Sequence, residues 1–215
     1  MADVSVNSLG QTVCVDRPLE LRAVGRHAVL AEVADSAAAR SLASYARAAQ
    51  VPADEVVPGA RTVLFDGVPN ADALAGLLSG WTADAAPDPG PLVELPVTYD
   101  GADLADVAAR WGTDVDGVVA RHRELEFVAA FCGFAPGFAY LAGLPEEAAV
   151  PRLDTPRTRV PAGSVGLAGS WCGVYPSASP GGWRLLGHTD APLWDPGRSE
   201  PALLAPGTRV RFVPR

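Results

Sequence analysis

Apolar and polar positions change rhythm several times along the chain, and each change marks an element. HAVLAEVA (His27–Ala34) has the alternation of a half-buried strand. DSAAARSLASYARAAQ (Asp35–Gln50) then takes up a helical period: Leu42, Tyr45, Ala46 and Ala49 share one face, and Asp35 or Ser36 supplies an N-cap oxygen. EVVPGARTVLFDGV reads as two short strands about the turn Pro58–Gly59, and NADALAGLLSGW (Asn70–Trp81) as a second helix opened by an Asn cap. This order predicts helices laid against one face of a small sheet.

The stretch TADAAPDPGP (Thr82–Pro91) breaks the pattern with proline, glycine and small polar residues and marks a linker. Beyond it LVELPVTYD reads as a strand, DLADVAARWG (Asp103–Gly112) as a helix, and DVDGVVARHREL as a second helix after an Asp cap. From Glu126 onward come short apolar runs split by Pro and Gly, the texture of a closed β-barrel. The predicted class is α+β. An extension is expected over 1–18, a small α/β domain over 19–85 and a barrel domain over 91–215.

One segment imitates a membrane span. Phe127 to Pro145 is 19 residues without a charge, close to the roughly 20 a spanning helix needs. Gly133, Pro136, Gly137, Gly143 and Pro145 interrupt it, and an interior proline costs a helix about 3 kcal/mol. It reads instead as a buried strand running into a fixed loop, so no membrane association is expected.

Composition narrows the chemistry. Of 215 residues, 48% are hydrophobic and the net charge is −8, which removes the basic footprint of a nucleic-acid binder. Every basic residue is Arg, so neither a Schiff-base nor a phosphate-gripping lysine exists. Cys14, Cys132 and Cys172 are widely spaced without a CxxC pair. That argues against a disulfide framework or a metal site and points to the cytoplasm, as does an N-terminus without a secretion signal. No Walker loop, nucleophile elbow or HExxH motif occurs; AGSVG (Ala162–Gly166) only superficially echoes an elbow.

His27 opens a strand and reads as structural. His122 ends a helix, where an imidazolium favours the C-terminal dipole, and it precedes the strand that leads to the uncharged loop. His188 follows PGGWRLLG and is expected to face the same cavity. GFAPGFAY and SPGGW each combine Gly-Pro stiffness with aromatic rings, so both are expected to hold those rings outward on a rigid platform. Arg152, Arg157 and Arg159 bring forked donors suited to a carboxylate or phosphate.

GFAPGFAYLAGLP, PRLDTPRTRVPAGSVGLAGS, GVYPSASPGGWRLLGHT and LLAPGTRVRFVP resemble the allophanate hydrolase subunit 1 family, also known as the B subunits of 5-oxoprolinase. The resemblance runs from about Leu21 to the C-terminus and is densest between His122 and Thr189. It implies a small N-terminal α/β, ferredoxin-like domain followed by a cyclophilin-like β-barrel. It further implies a complex with the 5-oxoprolinase C subunit (allophanate hydrolase subunit 2) and the 5-oxoprolinase A subunit, which together open 5-oxoproline to glutamate. ATP with Mg2+ would be used by that complex, with no cofactor held tightly in this chain.

Carried onto this sequence, the motifs imply a substrate cleft from Phe134, Pro136, Gly137, Phe138, Tyr140, Pro161, Ser164, Gly181, Gly182 and Trp183. Arg157 is the candidate for binding an anion, and His122, His188 and Arg159 are the candidates for catalysis. His188 stands where Arg is common in the family, Trp171 where Gln is common, Phe127 for a frequent Tyr and Arg26 for a frequent Asp. Two alternatives follow from relatives: a urea- or allophanate-type carboxyltransferase or amidolyase component, and a binding module that inhibits a histidine kinase.

Overall fold

The computed structural model describes residues 4–6, 12–14, 19–83 and 90–215. Strands β1 (Val4–Val6) and β2 (Thr12–Cys14) form an antiparallel pair in the stretch expected as an extension. The remainder of that stretch, and linker residues 84–89, lie outside the described residues.

The first sheet joins β3 (Glu20–Val24), β4 (Ala28–Glu32), β5 (Glu55–Pro58) and β6 (Thr62–Asp66) in the order β3-β4-β6-β5, antiparallel throughout. Alternation in β4 and β6 buries Val29, Ala31, Val63 and Phe65. Helices α1 (Ser36–Ala48) and α2 (Ala71–Leu78) pack Leu42, Ala43, Ala46, Leu74 and Leu78 into the same cluster. Both caps expected from the sequence form. Asp35 Oδ1 accepts from the Ala38 amide at 2.8 Å, and Asn70 Oδ1 accepts from Asp72 and Ala73 at 2.9 and 3.1 Å. The order is strand–strand–helix–strand–strand–helix, not the strand–helix–strand–strand–helix–strand of a ferredoxin-like unit. The extra leading strand, β3, is an edge with little buried surface, so its sequence carries little alternation.

The larger unit is built from β7 (Leu92–Val97), α3 (Leu104–Trp111), α4 (Val115–Glu124), β8 (Phe127–Cys132) and β9 (Ala139–Ala142). It continues through β10 (Arg157–Val160), β11 (Ser164–Ala168), β12 (Trp171–Val174), β13 (Ser179–Gly181), β14 (Arg184–His188) and β15 (Arg209–Pro214). Seven strands run in the order β14-β11-β12-β9-β8-β15-β7, and only β15 and β7 are parallel. A double hydrogen bond between Thr98 and His188, both at 2.9 Å, brings the last strand back to the first. The sheet is therefore a nearly closed barrel, filled by Leu95, Phe127, Leu141, Leu167, Leu186 and Phe212. Burying one such side chain contributes about 1.5–3 kcal/mol.

Between β7 and β14 the seam is plugged by the N-terminal end of α3. Asp103 holds its N-cap position but makes no side-chain cap bond. Its carboxylate instead accepts from the Leu185 amide at 2.7 Å and from Arg157 Nη2 at 2.7 and 2.9 Å. One buried carboxylate thus ties α3 to β14 and β10. No helix among the described residues is long and apolar enough to cross a membrane.

Candidate functional site

Three loops converge at one end of the barrel. The first, between β8 and β9, is a tight turn: Gly133 N–H donates to Phe138 O at 3.2 Å, and Phe138 N–H to Ala135 O at 2.9 Å. The turn forces Phe134 into the left-handed region, φ +67°, a strained conformation for a side-chain-bearing residue. Gly137, at φ +82°, brings this loop against residues 193–194; a Cβ there would lie 2.8 Å from the Trp194 Cβ. Gly163, at φ +79°, does the same for the loop before β11, where a Cβ would stand 2.1 Å from the Thr189 carbonyl oxygen. Between the second and third loops lies a cleft of about 260 Å³, lined among others by Gly163, Tyr175, Thr189, Asp190 and Trp194.

The aromatic residues are not the outward-facing platform expected from the sequence. Phe138, Tyr175 and Trp183 are buried, and with Tyr140 they form a cluster of edge-on contacts at centroid distances of 5.1–6.4 Å. This is a second core, lying outside the main barrel cluster. Edge-to-face packing satisfies the rings against each other, which removes the reason to expose them. Phe134 is the exception at 62% exposed; its ring makes an edge contact with Tyr175 across 6.3 Å. Trp194 is 43% exposed, and among the described residues these two are the exposed large aromatics.

The other candidates distribute as follows. Pro136 and Pro161 are exposed on their loops, and Ser164 is buried at the start of β11. A Cβ on Gly181 would fall 2.4 Å from the Tyr175 hydroxyl, and one on Gly182 3.6 Å from the Leu153 carbonyl oxygen. Arg157 is already engaged by Asp103 and by Trp183 O at 3.3 Å. Arg159 is exposed on β10. Burial pushes the Tyr175 phenol upward, opposed by a backbone hydrogen bond with Trp183 and by Arg152 and Arg157.

His122 does not stand at an open helix end. Its ring is fully buried in the barrel, 4.5 Å from the Phe212 ring and 5.3 Å from Phe127. Nδ1 lies 2.8 Å from the Tyr99 hydroxyl and Nε2 3.5 Å from Cys172 Sγ. Burial depresses its pKa to about 3, so the imidazole is neutral and no imidazolium serves the helix dipole. The same burial raises the Tyr99 hydroxyl and the Cys172 thiol, leaving a neutral polar chain through the core. α4 had to turn this face inward to close the barrel, which carries His122 away from the loop. His188, by contrast, is 40% exposed in its side chain and pairs with Asp100.

Loop 189–195 was not among the expected contributors. Its signal is present in HTDAPLWDPG, where two prolines flank an isolated Trp, but nothing in the spacing ties it to Gly163 or Gly137.

Residues 19–204 match a family model described as the carboxyltransferase domain, subdomain C and D. The chain belongs to this carboxyltransferase-domain family. Its sequence is 51% identical over 148 residues to a protein of Escherichia coli O157:H7 named as the B subunit of 5-oxoprolinase, covering 67% of this chain and 68% of that one. Among solved structures it resembles TTHA0988 with a TM-score of 0.75 at 35% identity, over 88% of this chain and 40% of that chain. The chain therefore spans two fifths of the length of that structure. The Kluyveromyces lactis urea amidolyase shares the fold alone: TM-score 0.65 at 20% identity, over 92% of this chain and 15% of that one.

Proposed function

We propose that this chain is the B subunit of a 5-oxoprolinase complex that opens the lactam of 5-oxoproline to glutamate at the expense of ATP. The supporting observation is the 51% identity to the corresponding 5-oxoprolinase protein of E. coli O157:H7 across two thirds of both chains. In this reading the partners are the C subunit, which completes the cleft, and the A subunit. The seven-stranded barrel is read as cyclophilin-like, and the complex as cytoplasmic. ATP and its Mg2+ are assigned to the complex, since this chain has no lysine to grip a phosphate.

An unactivated amide resists water, so the protein's contribution is positioning and stabilisation of developing charge. Trp194 and buried Tyr175 line the cleft, and the exposed Phe134 ring stands edge-on against Tyr175. Arg159, exposed on β10, is the candidate for an anionic group of substrate or nucleotide. Arg157 serves the fold through Asp103 and supports Tyr175 only at a distance.

The test is genetic and chemical together. Cells lacking this chain are expected to accumulate 5-oxoproline and to lose growth on it as nitrogen source, with recovery from a plasmid copy. Normal 5-oxoproline turnover in the deleted strain would end the reading.

A further inference from the structure

Among the described residues, Ser179 Oγ on β13 is buried without a hydrogen-bond partner. A hydroxyl left in that state is a cost, and nothing in the fold repays it. Its surroundings are those of the aromatic cluster. Ser179 is the register partner of Val160, which is buried with Phe138, Tyr175 and Trp183. Partners across an antiparallel pair share a face, and so do alternate residues along one strand. Gly181 therefore faces the same way as Ser179, which is why a Cβ there would meet the Tyr175 hydroxyl.

β10 is bulged to serve that face. Arg157 pairs with Gly181 and Val160 with Ser179, so three steps along β10 answer two along β13. Pro180, which has no N–H to give, sits opposite the irregular segment. On a regular strand Arg157 and Val160 would point to opposite faces; the bulge lets both share the side of Tyr175. This edge is open to solvent: Pro180 is exposed, and Ser179 and Gly181 are half-buried.

The Tyr175 hydroxyl is a second donor on the same face. Its oxygen accepts from the Trp183 amide, and no acceptor for its own proton stands among the described residues. Burial raises its pKa, so that proton stays in place. The charged side chains acting on it are Arg152 and Arg157. The charge of Arg157 is met by Asp103 at 2.7 and 2.9 Å, whereas Arg152 is exposed and has no ion pair among the described residues. Two hydroxyl donors and one uncompensated guanidinium thus stand beside apolar rings. A single negative charge balances that set, and a dianion would leave charge unmatched against the rings.

We propose that Ser179, Tyr175 and Arg152 form a binding site for the carboxylate of a small cyclic acid, the acid group of 5-oxoproline. The proposal rests on the lactam-opening reading and deepens it. The two hydroxyls and the guanidinium donate to the carboxylate oxygens, and the methylene groups of the lactam ring pack on the apolar wall by Val160 and Trp183. Tyr175 also lines the cleft, so the acid site and the cleft share a residue.

Stability and binding should respond differently to the same change. Ser179→Ala removes a hydroxyl that has no partner in the fold, so its urea midpoint should equal or exceed that of wild type. In titrations of the chain alone followed by NMR, 5-oxoproline should shift the Ser179 and Gly181 amide signals saturably. The uncharged lactam 2-pyrrolidinone, which lacks only the acid group, should not. Ser179→Ala, Tyr175→Phe and Arg152→Gln should each weaken 5-oxoproline binding by about tenfold or more. Binding within about twofold of wild type in all three variants overturns the site. A lowered urea midpoint for Ser179→Ala overturns the claim that its hydroxyl is kept for a ligand. Shifts from 2-pyrrolidinone equal to those from 5-oxoproline, or tighter binding of inorganic phosphate, overturn the carboxylate assignment. 5-Oxoproline bound as described, with no turnover by the complex of this chain with the A and C subunits, overturns the lactam-opening reading alone.

Discussion

Phe134 combines a left-handed backbone with a phenyl ring left mostly in water, two costs that stability alone does not justify. Its replacement by alanine should leave the unfolding free energy within about 0.5 kcal/mol, because little packing is lost. The same change should reduce turnover of the assembled complex at least about tenfold; urea melts and steady-state kinetics on one preparation separate the two effects. Gly163 is the opposite case. A Cβ there meets the Thr189 carbonyl oxygen, and φ is positive besides, so Gly163→Ala should cost about 2 kcal/mol or more by urea melt, while Pro161→Ala nearby should cost well under about 1 kcal/mol. Asp103 has three acceptor contacts in a buried setting, and Asp103→Ala should destabilise by about 3 kcal/mol, with Arg157 left unpaired. Stiff Gly-Pro turns were legible in the sequence, whereas loop 189–195, which supplies most of the cleft lining, was not. The His188–Asp100 contact was not, since it joins positions 88 residues apart that only the barrel closure brings together.

Helix boundaries and caps followed from the sequence because they depend on neighbours within a turn: Asp35, Asn70 and Asp114 each accept the expected backbone amide. Strand β3 and the inward turn of the aromatic cluster did not, because both depend on what lies across a sheet. α4 shows the same limit. Its cap and length were readable, but its buried face carries His122, and that placement has a pH signature. Above pH 6.5, the ring's ordinary value, it is neutral in both the folded and unfolded chain and contributes nothing. From pH 6.5 down towards 3 only the unfolded chain binds the proton, so stability falls by about 1.4 kcal/mol per pH unit and levels off below 3. Between about pH 7 and pH 5 the loss from this residue should be about 2 kcal/mol. Urea melts of wild type and His122→Phe at both values check it: the variant should lose correspondingly less, and equal losses would remove His122 as the cause.

At the scale of the whole molecule, a nearly closed barrel carries its cleft where the loops before β11 and after β14 meet, with the β8–β9 loop packed against the latter. The cleft there is shallow, its aromatic rim is only partly covered, and the same unit forms a minor part of longer chains such as TTHA0988. Those features suit a component whose site is completed by another polypeptide. The central claim is that lactam opening requires this chain, and the direct measurement is glutamate formed from 5-oxoproline and ATP by the A and C subunits, with and without it. The account predicts glutamate formation that appears only when this chain is added and that saturates at a fixed ratio to the C subunit. Equal glutamate formation in its absence would contradict it.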